Sequence, residues 1–333
     1  MKGRRARLFS GIVVGCAIVI MSLVTIVSAQ NKIVMRLGHT LAPDSHYQLT
    51  ALKFAELVKE KTNGRIEIKV FPQSQLGGEI QMAEALRTGT QELVISAQAP
   101  IENTVKEWQV LSLPYLFDSI DDANHVLQGP VGRKFLDMLP AHNLIGLAWM
   151  SVLERNVFTV RRPIKSLEDM KGLTIRVMQT PGYINGYRAL GANPTPLAYN
   201  QVYLALQQGV VDGAETGPDQ MVDDKFTEVA KHYYLSHVNY LPVVIAMSKI
   251  TWDKLTPDLQ RAVQESATEA ARWDLTEYKK LYNQSLETLK KKGIDVNQID
   301  VKPWMQAAQA TREEMLKKIP NGEALYKEII AAK

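Results

Sequence analysis

Apolar residues recur along this chain in two rhythms, one of period two and one near 3.6, and the changes of rhythm mark out strands and helices. Residues 33–39 read as a strand that ends in a turn. Leu49, Leu52, Phe54, Ala55, Leu57 and Val58 predict a helix over 49–61, which Asn63-Gly64 stops with a left-handed cap. Over 65–71 the alternation of Ile66, Ile68 and Val70 predicts a strand that Pro72 closes. Gly77-Gly78 opens a helix over 79–88, and 92–97 is a short apolar strand. The pattern starts again near Arg155, with strands at 173–178, 195–197 and 210–214 and helices at 182–190 and 200–208. Residues 243–247 form another buried strand. Strands that alternate with helices predict an α/β fold with largely parallel sheets. The joins ALRTGTQELVIS (85–96) and ALQQGVVDGAET (205–216) share one rhythm, as two related α/β domains would.

One helix stands apart by its length. From Pro257 to Lys292 the apolar side is marked by Leu259, Val263, Ala267, Ala270, Trp273, Tyr278, Leu281, Tyr282 and Leu289. Thr256 is its N-cap, Pro257 suits its first turn and Gly293 ends it. At 1.5 Å per residue such a helix runs for roughly 50 Å, longer than one domain of this size, so it is expected to lie across two.

The N-terminus changes the picture of charge. MKGRRARLF is basic, an apolar run from about Leu8 to Val27 follows, and Val27-Ser28-Ala29 places small residues before Gln30. Residues 1–29 therefore read as a signal peptide. Two other readings are a retained membrane anchor, since the run is about long enough to span a bilayer, and a lipoprotein site at Cys16. Lys2, Arg4, Arg5 and Arg7 account for the whole net charge of +4, so the rest of the chain balances. That balance gives no reason to expect nucleic acid as a partner. Cys16 is the only cysteine, which excludes disulfides and cysteine metal sites from a processed chain.

The candidate chemistry centres on Arg176, which stands inside an apolar strand with no acid beside it. A buried guanidinium must be paired. Its partner is either a carboxylate from elsewhere in the fold, such as Glu215, or the carboxylate of a ligand, which the planar fork can hold through two parallel bonds. Metal ligation finds little support. His232 and His237 are not spaced to share a helical face, and Asp219, Asp223 and Asp224 read as a solvated helix start.

Several motifs resemble one family. KSLEDMKGLTIRVM and ALGANPTPLAYNQVYLALQQGVVDGAE are similar to the solute-binding proteins of tripartite ATP-independent periplasmic (TRAP) transporters. So are NGRIEIKVFPQSQLGGEIQMAEALRTG at 63–89, LPYLFDS at 113–119 and SKITWDKLTPDLQRAV at 248–263. The resemblance covers nearly all of the chain after residue 32. It implies a two-domain, periplasmic-binding-protein-like α/β fold with an interdomain cleft and a helix bridging both domains. The domains would take 32–153 plus 243–281 and 154–242 plus 282–333, with the cleft at strand C-terminal ends.

The resemblance also assigns roles. Arg176 falls on the family's carboxylate-binding arginine, Arg155 on a second arginine at the domain crossing, and Tyr199 on an aromatic that lies against the ligand. Glu215 and Thr216 follow a strand into the cleft. Many relatives have asparagine where Thr216 stands, and a hydroxyl lacks the amide's second group. His39 and His46, together with Ser96 to Gln98, occupy loops after strands on the cleft side. Of these, His39 and Gln98 complete the candidate site. The implied ligand is a small organic acid, of C4-dicarboxylate or sugar-acid type, and the implied partners are TRAP membrane subunits; no cofactor and no metal are expected.

Two other functions compete. A membrane-anchored sensor could use the same cleft if residues 1–29 were retained. A secreted α/β enzyme would need a nucleophile and base, but the chain has no GxSxG, HExxH, P-loop or GxGxxG pattern.

Overall fold

In the computed structural model, which describes residues 32–333, two strand crossings join two sheets. The first part of the chain runs β1 (Ile33–Gly38), α1 (His46–Lys61), β2 (Ile66–Phe71), α2 (Glu79–Thr88), β3 (Leu93–Ala97) and α3 (Gln98–Glu102). A 3-10 turn over Lys106–Ser112 leads to α4 (Ile120–Gln128), α5 (Pro130–Leu136) and β4 (Leu144–Trp149). The chain then enters the second sheet through β5 (Leu153–Thr159), β6 (Thr174–Val177), α6 (Pro181–Ala189) and β7 (Asn193–Pro196). Next come α7 (Val202–Gln207), β8 (Gly213–Thr216), α8 (Pro218–Asp223), β9 (His232–Leu235) and β10 (Asn239–Leu241). β11 (Val243–Ser248) returns to the first sheet, followed by α9 (Lys249–Trp252) and the long α10 (Pro257–Lys291). The chain ends with β12 (Asp295–Gln298), α11 (Lys302–Lys318) and α12 (Gly322–Ala331).

The first sheet has the order β2-β1-β3-β11-β4, and the second β12-β9-β5-β8-β6-β7 with β10 pairing β5. Where helices carry the crossover the strands are parallel, as in β1 with β2 and β3, and β6 with β7 and β8. The expectation of largely parallel sheets fails at the middle of each. β11 runs antiparallel to β3 and β4, and β5 antiparallel to β8 and β9. The cause is the connection: β4 passes into β5, and β10 into β11, by strand rather than by a returning helix. The two crossing strands pair antiparallel on both sides, through Tyr240↔Glu154 in one sheet and Val244↔Trp149 in the other.

Apolar burial follows this plan. One core cluster joins Leu147 and Ile245 of the first sheet to Val157 and Ile175 of the second. Ala267, Ala270 and Tyr278 pack into that cluster from α10. α10 packs on α1, on β4 and on α8, which puts it against elements of both sheets, as its length predicted. α11 lies on α6, while α12 contacts the 106–112 turn. Among the described residues no helix is long and apolar enough to cross a membrane. The expected signal peptide lies outside the described residues.

Two boundaries differ from the pattern for local reasons. α1 starts at His46 because the Ser45 hydroxyl caps it, accepting from Gln48 N. β8 starts at Gly213 because Val210 N and Val211 N still bond Ala205 O, completing the end of α7 and leaving Val210 56% exposed.

Candidate functional site

Arg176 is the third residue of β6, and its side chain leaves the sheet at the wall of a cavity of about 340 Å³. The wall facing it comes from the start of α2, including Glu79, and from Pro100 in α3. The segments 178–180 and 197–201 complete the lining. These are loops at the C-terminal ends of β2, β3, β6 and β7, where open α/β sheets bind ligands. A larger cavity of about 480 Å³ is lined by Arg161, Arg162, Asp212 and Lys231, and contains none of the candidate residues.

The Arg176 guanidinium is only 2% exposed on its side chain and is deliberately held. Its Nε and Nη2 donate to Leu197 O at 3.0 and 2.7 Å, and Nη1 reaches Glu215 Oε1 at 3.4 Å. Of five N–H groups, these bonds leave one on each terminal nitrogen. The Tyr199 ring lies below the guanidinium, 5.8 Å from centroid to Cζ. The Tyr199 hydroxyl donates to Asp224 Oδ2 at 2.6 Å, which fixes the ring as a wall of the cavity.

Behind Arg176 the fold builds a second buried pair. Arg155 donates from Nε to Glu215 Oε2 at 2.5 Å, from Nη2 to Glu215 O at 2.7 Å, and from Nη1 to Gln220 Oε1 at 2.6 Å. Burial opposes the charge on Arg155, but Glu215 more than reverses this and its pKa is raised. For Arg176 burial dominates; Glu215 offsets it only in part, Arg155 adds repulsion, and the pKa is lowered. Both stay cationic, because a guanidinium is not deprotonated in proteins. Two buried cations therefore share one close carboxylate. Glu79 is the next acid. Burial raises its pKa, and it accepts from Ala97 N at 3.0 Å. Arg155, Arg176 and Glu215 together carry one net positive charge, which Glu79 in the same cavity wall offsets wherever it is ionised.

The structure sorts the candidate residues into three places. Arg176 and Tyr199 line the cavity. Arg155, Glu215 and Thr216 form the layer behind, and the Thr216 hydroxyl is committed to Gln220 Oε1 at 2.7 Å. Gln98 and His39 turn elsewhere. Gln98 Nε2 donates to Ser112 Oγ at 2.8 Å, and His39 Nε2 lies 2.7 Å from Gln48 Oε1. Burial also lowers the His39 pKa to about 4, holding the ring neutral. His46 stands 3.3 Å from Asp219, and carboxylates overcome its burial so that its pKa is raised. Glu79, Thr180, Asn200 and Gln201 were not singled out from sequence. The signal that could have found them is position, each following a predicted strand at the mouth of a helix.

A sequence model of bacterial extracellular solute-binding proteins, family 7, matches residues 37–319. The chain belongs to this family. Its members are the DctP-type solute-binding proteins of TRAP transporters, which bind and do not transform their solutes. The C4-dicarboxylate-binding protein DctB of Bacillus subtilis is 30% identical, over 83% of this chain and 80% of its own. Among solved structures, a TRAP periplasmic solute-binding protein from Polaromonas sp JS666, bound to D-erythronate, is 32% identical with a TM-score of 0.88. It covers 91% of this chain and 99% of its own. One from Citrobacter koseri with bound D-glucuronate is 30% identical with a TM-score of 0.86, covering 90% and 99%. The two-domain α/β fold with its long bridging helix is thus the family's fold.

Proposed function

We propose that this protein is the exported receptor of a TRAP transporter, that it holds a small sugar acid by its carboxylate on Arg176, and that it delivers the acid to membrane subunits. The observation that carries this reading is the unspent fork of Arg176 at the cavity wall, backed by a charge surplus in Arg155, Arg176 and Glu215. A carboxylate accepts two parallel bonds from such a fork. The two lobes, taken as 32–153 plus 243–281 and 154–242 plus 282–333, close about the paired crossing strands. Closure excludes water and strengthens the ion pair. Arg155, Glu215 and Thr216 position Arg176 from behind. Tyr199 packs on the ligand, and Gln98 and His39 support the first lobe's side of the cleft. The leader 1–29 is removed on export to the periplasm.

A sugar acid suits the cavity better than a dicarboxylate. Among the described residues Arg176 is the one guanidinium lining it, and a second ligand carboxylate would meet Glu79 instead of a cation. The D-erythronate and D-glucuronate seen in the two solved relatives support that choice. The C4-dicarboxylate reading is favoured by the Bacillus subtilis relative and by the C4-dicarboxylate-binding periplasmic protein DctP of Rhodobacter capsulatus, also 30% identical.

The test is thermal unfolding of the exported protein with D-glucuronate, D-erythronate, galactonate and succinate. At a hundred times the dissociation constant, binding adds about 2.7 kcal/mol. For a protein of this length that is a rise in Tm of about 4 °C. A shift with sugar acids and none with succinate is expected. A protein that responds to no acid overturns the carboxylate reading, and a response to succinate alone restores the dicarboxylate.

A further inference from the structure

At the far end of the second sheet from the candidate site lies the larger cavity, of about 480 Å³. β6 and β8 run parallel, and the candidate site follows the end of β6 at Val177. The hollow instead borders Asp212, which precedes β8, and Lys231, which precedes β9. β5 is antiparallel to both, so Arg161 and Arg162, which follow its end, arrive at the same place. Leu206 to Gly209, at the end of α7, complete the ring.

The backbone here is fixed, and the charges on it are free. Val160 N donates to Asp212 O at 2.9 Å, Lys231 N to Thr159 O at 3.1 Å, and the Thr159 hydroxyl to Arg162 O at 2.7 Å. Gly209, at φ +71°, turns the chain out of α7 along the edge of the hollow. Among the described residues the exposed side chains of Arg161, Arg162 and Lys231 enter no hydrogen bond or ion pair. The one acid of the lining, Asp212, accepts from Thr174 N through Oδ2 at 2.8 Å. Three cations against one carboxylate leave a surplus of two positive charges. Neighbouring acids are engaged elsewhere: Asp295 lies 3.2 Å from His232 Nδ1, and Glu228 accepts from Tyr203 at 2.8 Å. Between the cations the wall is apolar, with Leu206 and Val211 buried and Val160 and Val229 half-buried.

We propose that this hollow is a docking site for a protein partner that presents an acidic segment carrying an apolar side chain. Charge complementarity selects the occupant. A single small anion gains little from exposed cations, because such pairs are individually weak. Several carboxylates along one segment use all three cations together, and they steer the partner to the site from a distance. An apolar side chain between them covers Leu206 and Val211, as the centre of an interface does. A flat anionic membrane would meet the rim and leave the recess empty. None of these residues lines the candidate cavity. Docking there leaves the cleft free, so on the receptor reading above, which gives the partner its role, partner and solute are held at the same time.

Fluorescence anisotropy of the exported protein with a labelled peptide of Glu-Glu-Leu repeats tests the site. Saturable binding is expected, weakening as salt is raised. Arg161→Glu together with Arg162→Glu is expected to raise Kd at least about tenfold. Lys69→Glu, which reverses an exposed charge on β2, is expected to change it by less than about threefold. If the double variant does not fold, Lys231→Glu replaces it, with a rise of at least about fivefold expected. Absence of binding, an equal loss in Lys69→Glu, or equal binding of a Gln-Gln-Leu peptide overturns the docking site. Displacement by inorganic phosphate, beyond that by chloride at equal ionic strength, would make the hollow a small-anion site. Binding of phosphatidylglycerol vesicles that the same variants abolish would make it a lipid surface, and displacement by D-glucuronate would put the peptide in the cleft. Each of these three also overturns the proposal. A silent ligand panel would count against the receptor reading and leave these readouts untouched.

Discussion

Replacing Arg176 by lysine separates the two tasks that arginine performs. Charge is kept and the fork is lost. In the structure Nε and Nη2 spend bonds on Leu197 O and Nη1 one on Glu215, leaving one N–H on each terminal nitrogen for a ligand. An ammonium cannot hold Leu197 O, Glu215 and both oxygens of a carboxylate from one point. The expected loss is one charge-assisted hydrogen bond, about 1.5–3 kcal/mol. That corresponds to roughly a ten- to 150-fold rise in Kd. Calorimetric titration with the acid that gives the largest thermal shift measures it. The same titration at raised salt should change the ratio little, because the pair is buried and poorly screened. A Kd within about threefold of wild type would show that Arg176 serves Glu215 and Leu197 only, and would sink the clamp.

Arg155 should behave in the opposite way. Arg155→Met strips Glu215 of its close partner and is expected to cost about 3–5 kcal/mol of stability, the range for breaking a buried pair. At this chain length that lowers Tm by roughly 5–8 °C, readable by calorimetry without ligand. A loss below about 1 kcal/mol would show the pair to be solvated. Asp223 gives a pH test. Burial, then Asp219 and Asp224, raises its pKa from 3.8 to about 7, so the folded form binds more protons between those values. The resulting cost grows as pH rises from about 4 and is complete above about 7. Asp223→Asn should thus raise Tm at pH 8 and leave it unchanged at pH 4; an equal effect at both would remove the electrostatic cause. Trp304 of α11 is 1% exposed in the shared core. Trp304→Ala is expected to cost about 3–5 kcal/mol in urea unfolding, and a cost under about 1 kcal/mol would show that α11 is not part of that core.

Much of the architecture was legible because secondary structure is written in near neighbours. The period-two run at 65–71 and the 3.6-residue stripe from Pro257 appear as β2 and α10 with boundaries within one residue. The crossing strands were harder to read. In β5, Glu154, Arg155, Asn156 and Thr159 are all buried, so the strand shows no apolar alternation. Thr159 bonds Arg162 O nearby, but Glu154, Arg155 and Asn156 reach Tyr282, Glu215 and Tyr233 far along the chain, and no local pattern carries that pairing.

By itself the sequence determined an α/β chain with one bridging helix, and a strand arginine that had to find an anion. Spaced motifs named the family. Which anion each arginine finds was decided only in three dimensions. Arg155 and Arg176 compete for a carboxylate 60 and 39 residues away, and the closer contact of Arg155 is what frees the fork of Arg176. Likewise Gln98 and Thr216 are polar residues at strand ends by sequence, yet one bonds Ser112 and the other Gln220. A side chain's type sets which bonds it can make. The fold sets which partners come within 3 Å, and that depends on distant segments meeting.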